Sequence, residues 1–439
     1  MPVAARSIGE ALVTIAGRDR VRDDIGSLDA AIVDGLRPRW VVGPASIDEL
    51  SRVIALAQDA GLAVVPRGTG SSLELGHPPS RVDVVLDLAD LDRVIEYNPD
   101  DLTITVQAGM AAGTLAALLA PHRQWLPIDP PGIAARTLGG VTATNASGPL
   151  RARFGGLRDL LLGVRFVQPD GVVTWGGSKV VKSVSGYDVP KLMVGALGTL
   201  GVLAELTLRL HPLPDSERSW LVPLDRPQAA QDFVARLIDS PLQPSRVELF
   251  NDNAARRLLA ESGSAGVAVS IGSVADAVRD QGERLGALAK AVDAGVVPLP
   301  EGFWSKVSSA MEPPPGWTAL HVTSLAGHLA DTVDAIGDIV RTAASNADVR
   351  LSGCASFGTL RLLMGGASVA EMAAVTTRVR AWVGDVGGSA VIARGPVELR
   401  RTVDPWGPVE PGALGLMRAL RNEFDPKRVL NPGRYVGGL

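Results

Sequence analysis

Pro66-Arg67-Gly68-Thr69-Gly70-Ser71-Ser72 is the stretch on which the fold turns. Ahead of it, Ala63-Val64-Val65 is a short apolar run suited to a buried strand, and Pro66 is expected to end that strand. Upstream, Trp40-Val41-Val42 is another strand, followed by Ser46-Ile47-Asp48-Glu49, whose Ser and Glu form a capping box. Ile47, Leu50, Ile54 and Ala57 keep helical spacing, and Gly61 is a natural stop. The unit therefore reads β-α-β into a glycine loop, which invites a dinucleotide-binding assignment with Asp87 or Asp90 as the ribose acid. Two features reject that assignment. The third glycine is missing, and the loop continues through Leu73 to Gly76 into Pro78-Pro79, where no helix can start. What remains is a tight loop whose successive N–H groups can turn inward around an anion such as a diphosphate, with a plain glycine turn as the alternative.

Two further glycine runs lie downstream. Thr137-Leu138-Gly139-Gly140 continues to Thr142, Asn145, Ser147 and Gly148, small residues that let a flat or charged ligand approach the backbone. Gly195-Ala196-Leu197-Gly198-Thr199-Leu200-Gly201-Val202 spaces glycines three apart and then enters a strand. Around them, strands are expected at Val82 to Leu88, Thr103 to Gly109, Val164 to Val167, Val172 to Trp175 and Val202 to Leu208, with a helical piece at Val189 to Val194. Pro212-Leu213-Pro214-Asp215 marks a boundary. Beyond it, strand-like runs (Arg246 to Phe250, Ala319 to Thr323) alternate with amphipathic helices (Val278 to Val292, Leu329 to Ala344). We expect an α+β protein with a first domain over 1–214, an α+β cap over 215–400, and a C-terminal segment over 401–439.

The formal charge of −4 provides no basic footprint, so dedicated nucleic-acid binding is disfavoured. The single cysteine, Cys354, can build neither an intrachain disulfide nor an iron–sulfur site. The longest apolar stretch, Leu192 to Ala204, is far short of the roughly 20 residues of a membrane span, and Met1 to Arg20 lacks a signal-peptide core. The expected location is cytoplasmic, with peripheral attachment to the inner face of the membrane through a partner as the extension of that reading.

Taken in order, P-R-G-T-G-S-S, T-L-G-G-x-x-A-T-N-A-S-G, G-Y-D at 186–188, M-V-G-A-L-G-T-L-G-V-L-A-E at 193–205 and F-D-P-K-R-V-L-N-P-G-R at 424–434 resemble the FAD-binding fold of the vanillyl-alcohol-oxidase and p-cresol-methylhydroxylase superfamily. Within it, Ser147-Gly148-Pro149, Arg158-Asp159, Leu162-Gly163 with Arg165, Lys182 to Asp188 and Phe303-Trp304 look most like the FAD-binding E subunits of bacterial glycolate oxidases. The resemblance covers about 36–214 and 300–439.

The resemblance implies a two-part FAD-binding domain of the p-cresol-methylhydroxylase type with a cap. It places Pro66, Arg67, Gly68, Thr69, Gly70, Ser71 and Ser72 around the FAD pyrophosphate. Pro131, Thr137, Gly139, Gly140, Thr142, Asn145 and Gly148 would line the flavin and its ribityl chain. Gly198, Gly201 and Val202 would flank the cofactor, and Asn431 would return to the flavin ring. Ser71 stands where covalent members carry a flavin-linking His, and His77 reads as a loop residue, so FAD is expected to be noncovalent. The H-x-G-D-G-N-x-H metal motif of 2-hydroxy-acid-oxidising relatives has as its counterpart Ser352 to Thr359, without histidine or carboxylate. His321 and His328 lack ligand spacing and read as structural or surface residues, so no metal is expected. Arg151, Arg153, Arg158 and Arg165 form the densest cationic run, suited to a substrate carboxylate, to docking, or to plain surface charge.

The implied function is that of an FAD-binding subunit oxidising glycolate or another small 2-hydroxy acid and passing electrons to a partner. A homologous flavoprotein subunit and an iron–sulfur subunit are the implied partners. The alternatives are a non-catalytic relay subunit, or a stand-alone oxidase of an alcohol or sugar acid. No catalytic base is assigned from sequence.

Overall fold

The computed structural model describes residues 3–178, 187–259 and 263–439. The first sheet has four strands in the order Val21–Arg22, Trp40–Val42, Val84–Asp87, Val64–Arg67, parallel except for the first pair. Ser46 caps helix Ile47–Asp59 by accepting from the Glu49 N–H, and Leu50, Val53, Ile54 and Ala57 are buried against the sheet. Val84, Val85 and Leu86 are all buried, because this strand has parallel neighbours on both sides and a covered surface above and below. The strand at Val64 continues through Pro66 to Arg67 instead of stopping at the proline. On its outer edge Val64 donates to Val429, and the same edge position two residues on is Pro66, which has no N–H to donate. An N-terminal helix, Val3–Ala16, not foreseen in the sequence, buries Leu12 and Ala16 in this core.

A five-stranded antiparallel sheet follows, in the order Val94–Asn98, Thr103–Gln107, Val202–Arg209, Leu161–Val167, Val173–Gly177. The third glycine run feeds its central strand. The chain then enters an eight-stranded antiparallel sheet: Val297–Pro298, Ser216–Pro223, Gly266–Ser273, Arg246–Phe250, Asp348–Cys354, Thr359–Gly365, Thr318–Thr323, Ser389–Arg394. Side chains alternate across it. Val247, Leu249, Leu351, Leu360, Leu362, Leu320 and Val322 share one core with buried residues of helices Pro227–Ile238, Ala275–Lys290, Leu329–Ala343 and Val369–Asp385. The residues between them, Glu248, Ser352, Arg361 and His321, line cavities instead. After helix Pro411–Phe424 the C-terminus returns to the first sheet, where Asn431 donates its backbone N–H to Val64 O. Among the described residues no helix is long and apolar enough to cross a membrane.

Candidate functional site

The loop after strand Val64–Arg67 is held from both ends. Arg434 donates to Leu73 O (2.5 Å) and Leu75 O (2.9 Å), and Gly70 adopts φ +79°, a left-handed conformation that glycine takes without cost. Gly68 must lack a side chain, since a Cβ there would overlap Thr137 Oγ1. The backbone N–H groups from Gly68 to Ser72 donate to no other described residue, while the loop lines a cavity with Thr137, Gly140, Thr144, Leu197 and Asn431. Open N–H donors in succession make a concavity for an anion.

Helix Leu138–Thr144 forms the opposite wall. Its own N-terminal donors are used: Leu138 N–H to Met110 O, Gly139 N–H to Ala108 O, and Gly140 N–H to Thr137 Oγ1. Gly195, Leu197 and Gly198 all have positive φ, and Leu197 O accepts from Asn431 Nδ2 at 2.6 Å. Asn431 Oδ1 is buried beside the loop without a hydrogen-bond partner. An acceptor so placed is left for a donor from a bound group.

Pro66, Gly68, Thr69, Gly70, Ser71, Ser72, Thr137, Gly139, Gly140, Gly198, Gly201, Val202 and Asn431 all line this pair of adjoining cavities, as does Arg67. The structure changes the role of several. Arg67 turns its guanidinium to Asp87 (3.1 Å), leaving only its backbone for a ligand. Thr142 is fully buried and donates to Leu138 O, so its side chain faces the core and not a cofactor. Pro131 and Gly148 line a second cavity beside the cap sheet, and Asn145 lines the larger cleft between the two. Protein packing demands glycine at Gly68, as above, and at three further site positions. A Cβ on Gly139 would lie 2.8 Å from Ala108 O, one on Gly201 2.5 Å from Phe166, and one on Gly148 would overlap Asp129 O. Residues 182–186, part of the Lys182 to Asp188 segment and the G-Y-D motif, lie outside the described residues.

The larger cleft, about 1380 Å³, shares Ser71, Ser72, Thr144 and Leu197 with the loop cavity and Ser147, Arg151, His321 and Arg361 with the cap cavity. Its rim is a chain of charges. Arg136 reaches Ser72 Oγ (3.3 Å) and Glu312 (3.4 Å), and Glu312 also meets Arg394, which bonds Glu74. On the cap sheet, His321 is the direct cross-strand partner of Arg361, and Arg361 that of Ser352. Burial, with the positive charges of Arg361 and Arg151, lowers His321 to about 4, so its imidazole is neutral. Burial and the neighbouring Asp129 push Glu248 up to about 8. Asp129 bonds Arg246 Nε at 2.9 Å and accepts from Leu150 N–H, joining the glycine segment to the cap. Cys354, raised to about 11 by burial and Glu248, is an unreactive thiol.

The cap wall corrects one sequence expectation. His321 is neither structural nor on the outer surface, but lines the cleft. Of the Arg151 to Arg165 run, Arg153 bonds Gln243, Arg165 pairs with Glu205, and only Arg151 lines the cleft. His328 lies half-buried beside Asp331 and lines none of these cavities. Arg361 went unassigned, although a charge inside Leu360-Arg361-Leu362-Leu363 signals a strand face turned to something polar.

Residues 38–177 match the family model of the FAD binding domain, and residues 408–435 that of the C-terminal domain of FAD linked oxidases. The chain thus carries an FAD binding domain and the C-terminal segment of the FAD linked oxidases. Glycolate oxidase subunit GlcD of Bacillus subtilis is 25% identical over 98% of this chain and 96% of its own length. A probable mitochondrial D-lactate dehydrogenase of Danio rerio is 32% identical over 49% of this chain and 44% of its own. Substrate-bound p-cresol methylhydroxylase shares the fold at TM-score 0.76 and 14% identity, covering 99% of this chain and 97% of that one. The 4-ethylphenol oxidase of Gulosibacter chungangensis does so at 0.78 and 15%, with the same coverage.

Proposed function

We propose that this chain binds FAD noncovalently and oxidises a small 2-hydroxy acid, as one subunit of an electron-transferring assembly. The observation that carries this reading is the open row of N–H donors from Gly68 to Ser72, in a cavity continuous with the cleft under the cap sheet. Those donors suit the diphosphate, the orphan acceptor Asn431 Oδ1 suits an N–H of the isoalloxazine, and Gly198 and Val202 lend backbone contact. Bound FAD supplies a two-electron acceptor. The chain's residues supply the rest: the Arg136–Glu312–Arg394–Glu74 rim ties the loop to the cap and limits entry of water, and the cap face presents polar groups to the substrate.

Noncovalent binding is supported by Ser71 in the loop and by His77, which lines none of these cavities and lies 3.5 Å from Asp404. One buried cysteine cannot hold an iron–sulfur cluster, so electrons leave this chain to another molecule, for which an iron–sulfur subunit and a homologous flavoprotein subunit are the proposed partners. Acid precipitation is expected to release all flavin into the supernatant. Glycolate or D-lactate, added anaerobically to the FAD-loaded chain, is expected to bleach the flavin absorbance. Flavin that dithionite bleaches but no short 2-hydroxy acid does would overturn the substrate assignment.

A further inference from the structure

We infer that Arg361 and His321 form the substrate-reading pair of the cap wall, Arg361 holding the carboxylate of a 2-hydroxy acid and His321 accepting a hydrogen bond from its 2-hydroxyl group. This rests on the function proposed above and adds to it the residues that recognise the substrate.

Three features of the cleft lead here. First, Arg361 and His321 are neighbours across strands Thr359–Gly365 and Thr318–Thr323, on the face opposite the helix-packed core, and both line the cleft that also contains Ser71, Ser72 and Asn145. Second, neither side chain has a hydrogen bond or ion pair with any described residue, whereas the other buried or rim arginines do. Arg136 and Arg394 are bound to Glu312, Arg246 to Asp129 and Glu217, and Arg400 to Asp34. A half-buried guanidinium that faces a cleft without an ion pair is open to an anionic ligand, and its planar fork matches a carboxylate. Third, the nearby acid does not neutralise it. Glu248 is hydrogen-bonded to Ser352 and holds its proton up to about 8, and the other carboxylate that acts on Arg361, Glu312, is already paired with Arg136 and Arg394. The neutral His321 ring has an unshared pair on one nitrogen, which makes it an acceptor for a hydroxyl. Carboxylate and 2-hydroxyl lie on adjacent carbons, matching two side chains on adjacent strands about 5 Å apart.

The test uses the FAD-loaded chain and a substrate mimic that cannot react. 2-Hydroxyisobutyrate keeps the carboxylate and hydroxyl but has no hydrogen on C2, and isobutyrate lacks the hydroxyl. Binding is read as perturbation of the flavin spectrum and by calorimetry. Arg361→Gln is expected to raise the Kd of both ligands by about 30-fold or more at unchanged FAD content, with Arg361→Lys intermediate. Wild type is expected to prefer the hydroxylated ligand by about 5-fold, and His321→Leu to abolish that preference while still binding isobutyrate. Arg361→Gln binding within about 3-fold of wild type overturns the carboxylate site, and a preference retained in His321→Leu overturns the histidine's part. Should Arg361→Gln lose FAD, Arg361→Lys decides: unaltered affinity there refutes the fork. Flavin bleached by 2-hydroxy acids in wild type, with these variants unaffected, would sink this pair and leave the proposed function standing; flavin never bleached would sink the function itself.

Discussion

On one side of the cleft the groups offered to the proposed ligand are main-chain N–H donors of Gly68 to Ser72 and the backbone of Leu197 to Val202, bent through residues of positive φ. On the other they are side chains, Arg361, His321, Ser352 and Glu248, standing on regular antiparallel strands. A backbone wall needs small residues in a continuous segment, because any Cβ intrudes on the ligand or on the loop's own packing. A side-chain wall needs only one residue from each strand, and the scaffold behind it is ordinary helix and sheet. The first tolerates almost no added atoms, while the second is tuned by charge.

The largest effect is expected from breaking the backbone wall. Gly68→Val would drive side-chain atoms into Thr137, costing about 2–3 kcal/mol, and the purified protein is expected to be nearly colourless. The flavin-to-protein absorbance ratio checks this, and a yellow Gly68→Val protein would mean that the loop is not the cofactor's seat.

A middle-sized effect tests the charge of the side-chain wall. Folded Glu248 titrates at about 8 against an ordinary 4.5, so between those values the folded chain binds more protons than the unfolded one. Wild-type stability therefore falls as pH rises through that window and levels off above it. Glu248→Gln removes the fall. Its melting temperature relative to wild type is expected to climb by about 2 °C or more from pH 5 to pH 9. A pH-independent difference would place the Glu248 pKa near its ordinary value.

The smallest effect comes from the scaffold behind that wall. Gly337 is exposed within helix Leu329–Ala343, and a Cβ there meets nothing within 4 Å. Gly337→Ala is expected to add about 0.5–1 kcal/mol of stability, read by denaturant melts, with FAD content unchanged. The contrast with Gly68→Val would show that glycine matters here by place and not by count.

The legibility of the two walls differs in the same way. Pro66 to Ser72 and Gly195 to Val202, which line the adjoining cavities, could be picked out from the chain because their signal is local: a run of small residues is visible wherever a backbone is open to close approach. The Ser46 cap and the strands on either side of its helix are equally local, although Glu49 accepts from the Ala45 N–H and not from the Ser46 N–H of a full capping box. Gly139, Gly148 and Gly201 resemble the others on paper, yet Ala108, Asp129 and Phe166 are what require them to be small. Thr142 had the right chemistry but the wrong helix face. His321 and Arg361 gave no motif at all, being 40 positions apart in the sequence.

By itself, then, the sequence determined the glycine loops, most of the strands and helices around them, and the resemblance to FAD linked oxidases, since hydrophobic period, turn residues and glycine runs act over a few neighbours. Only the tertiary structure decided which arginine of the cleft has no side-chain partner among the described residues, which histidine is neutral and turned inward, and which glycines face a cavity. Those properties come from pairing between distant strands and from the water that packing removes. Register set Arg361 beside His321, and burial beside Asp129 kept the proton on Glu248.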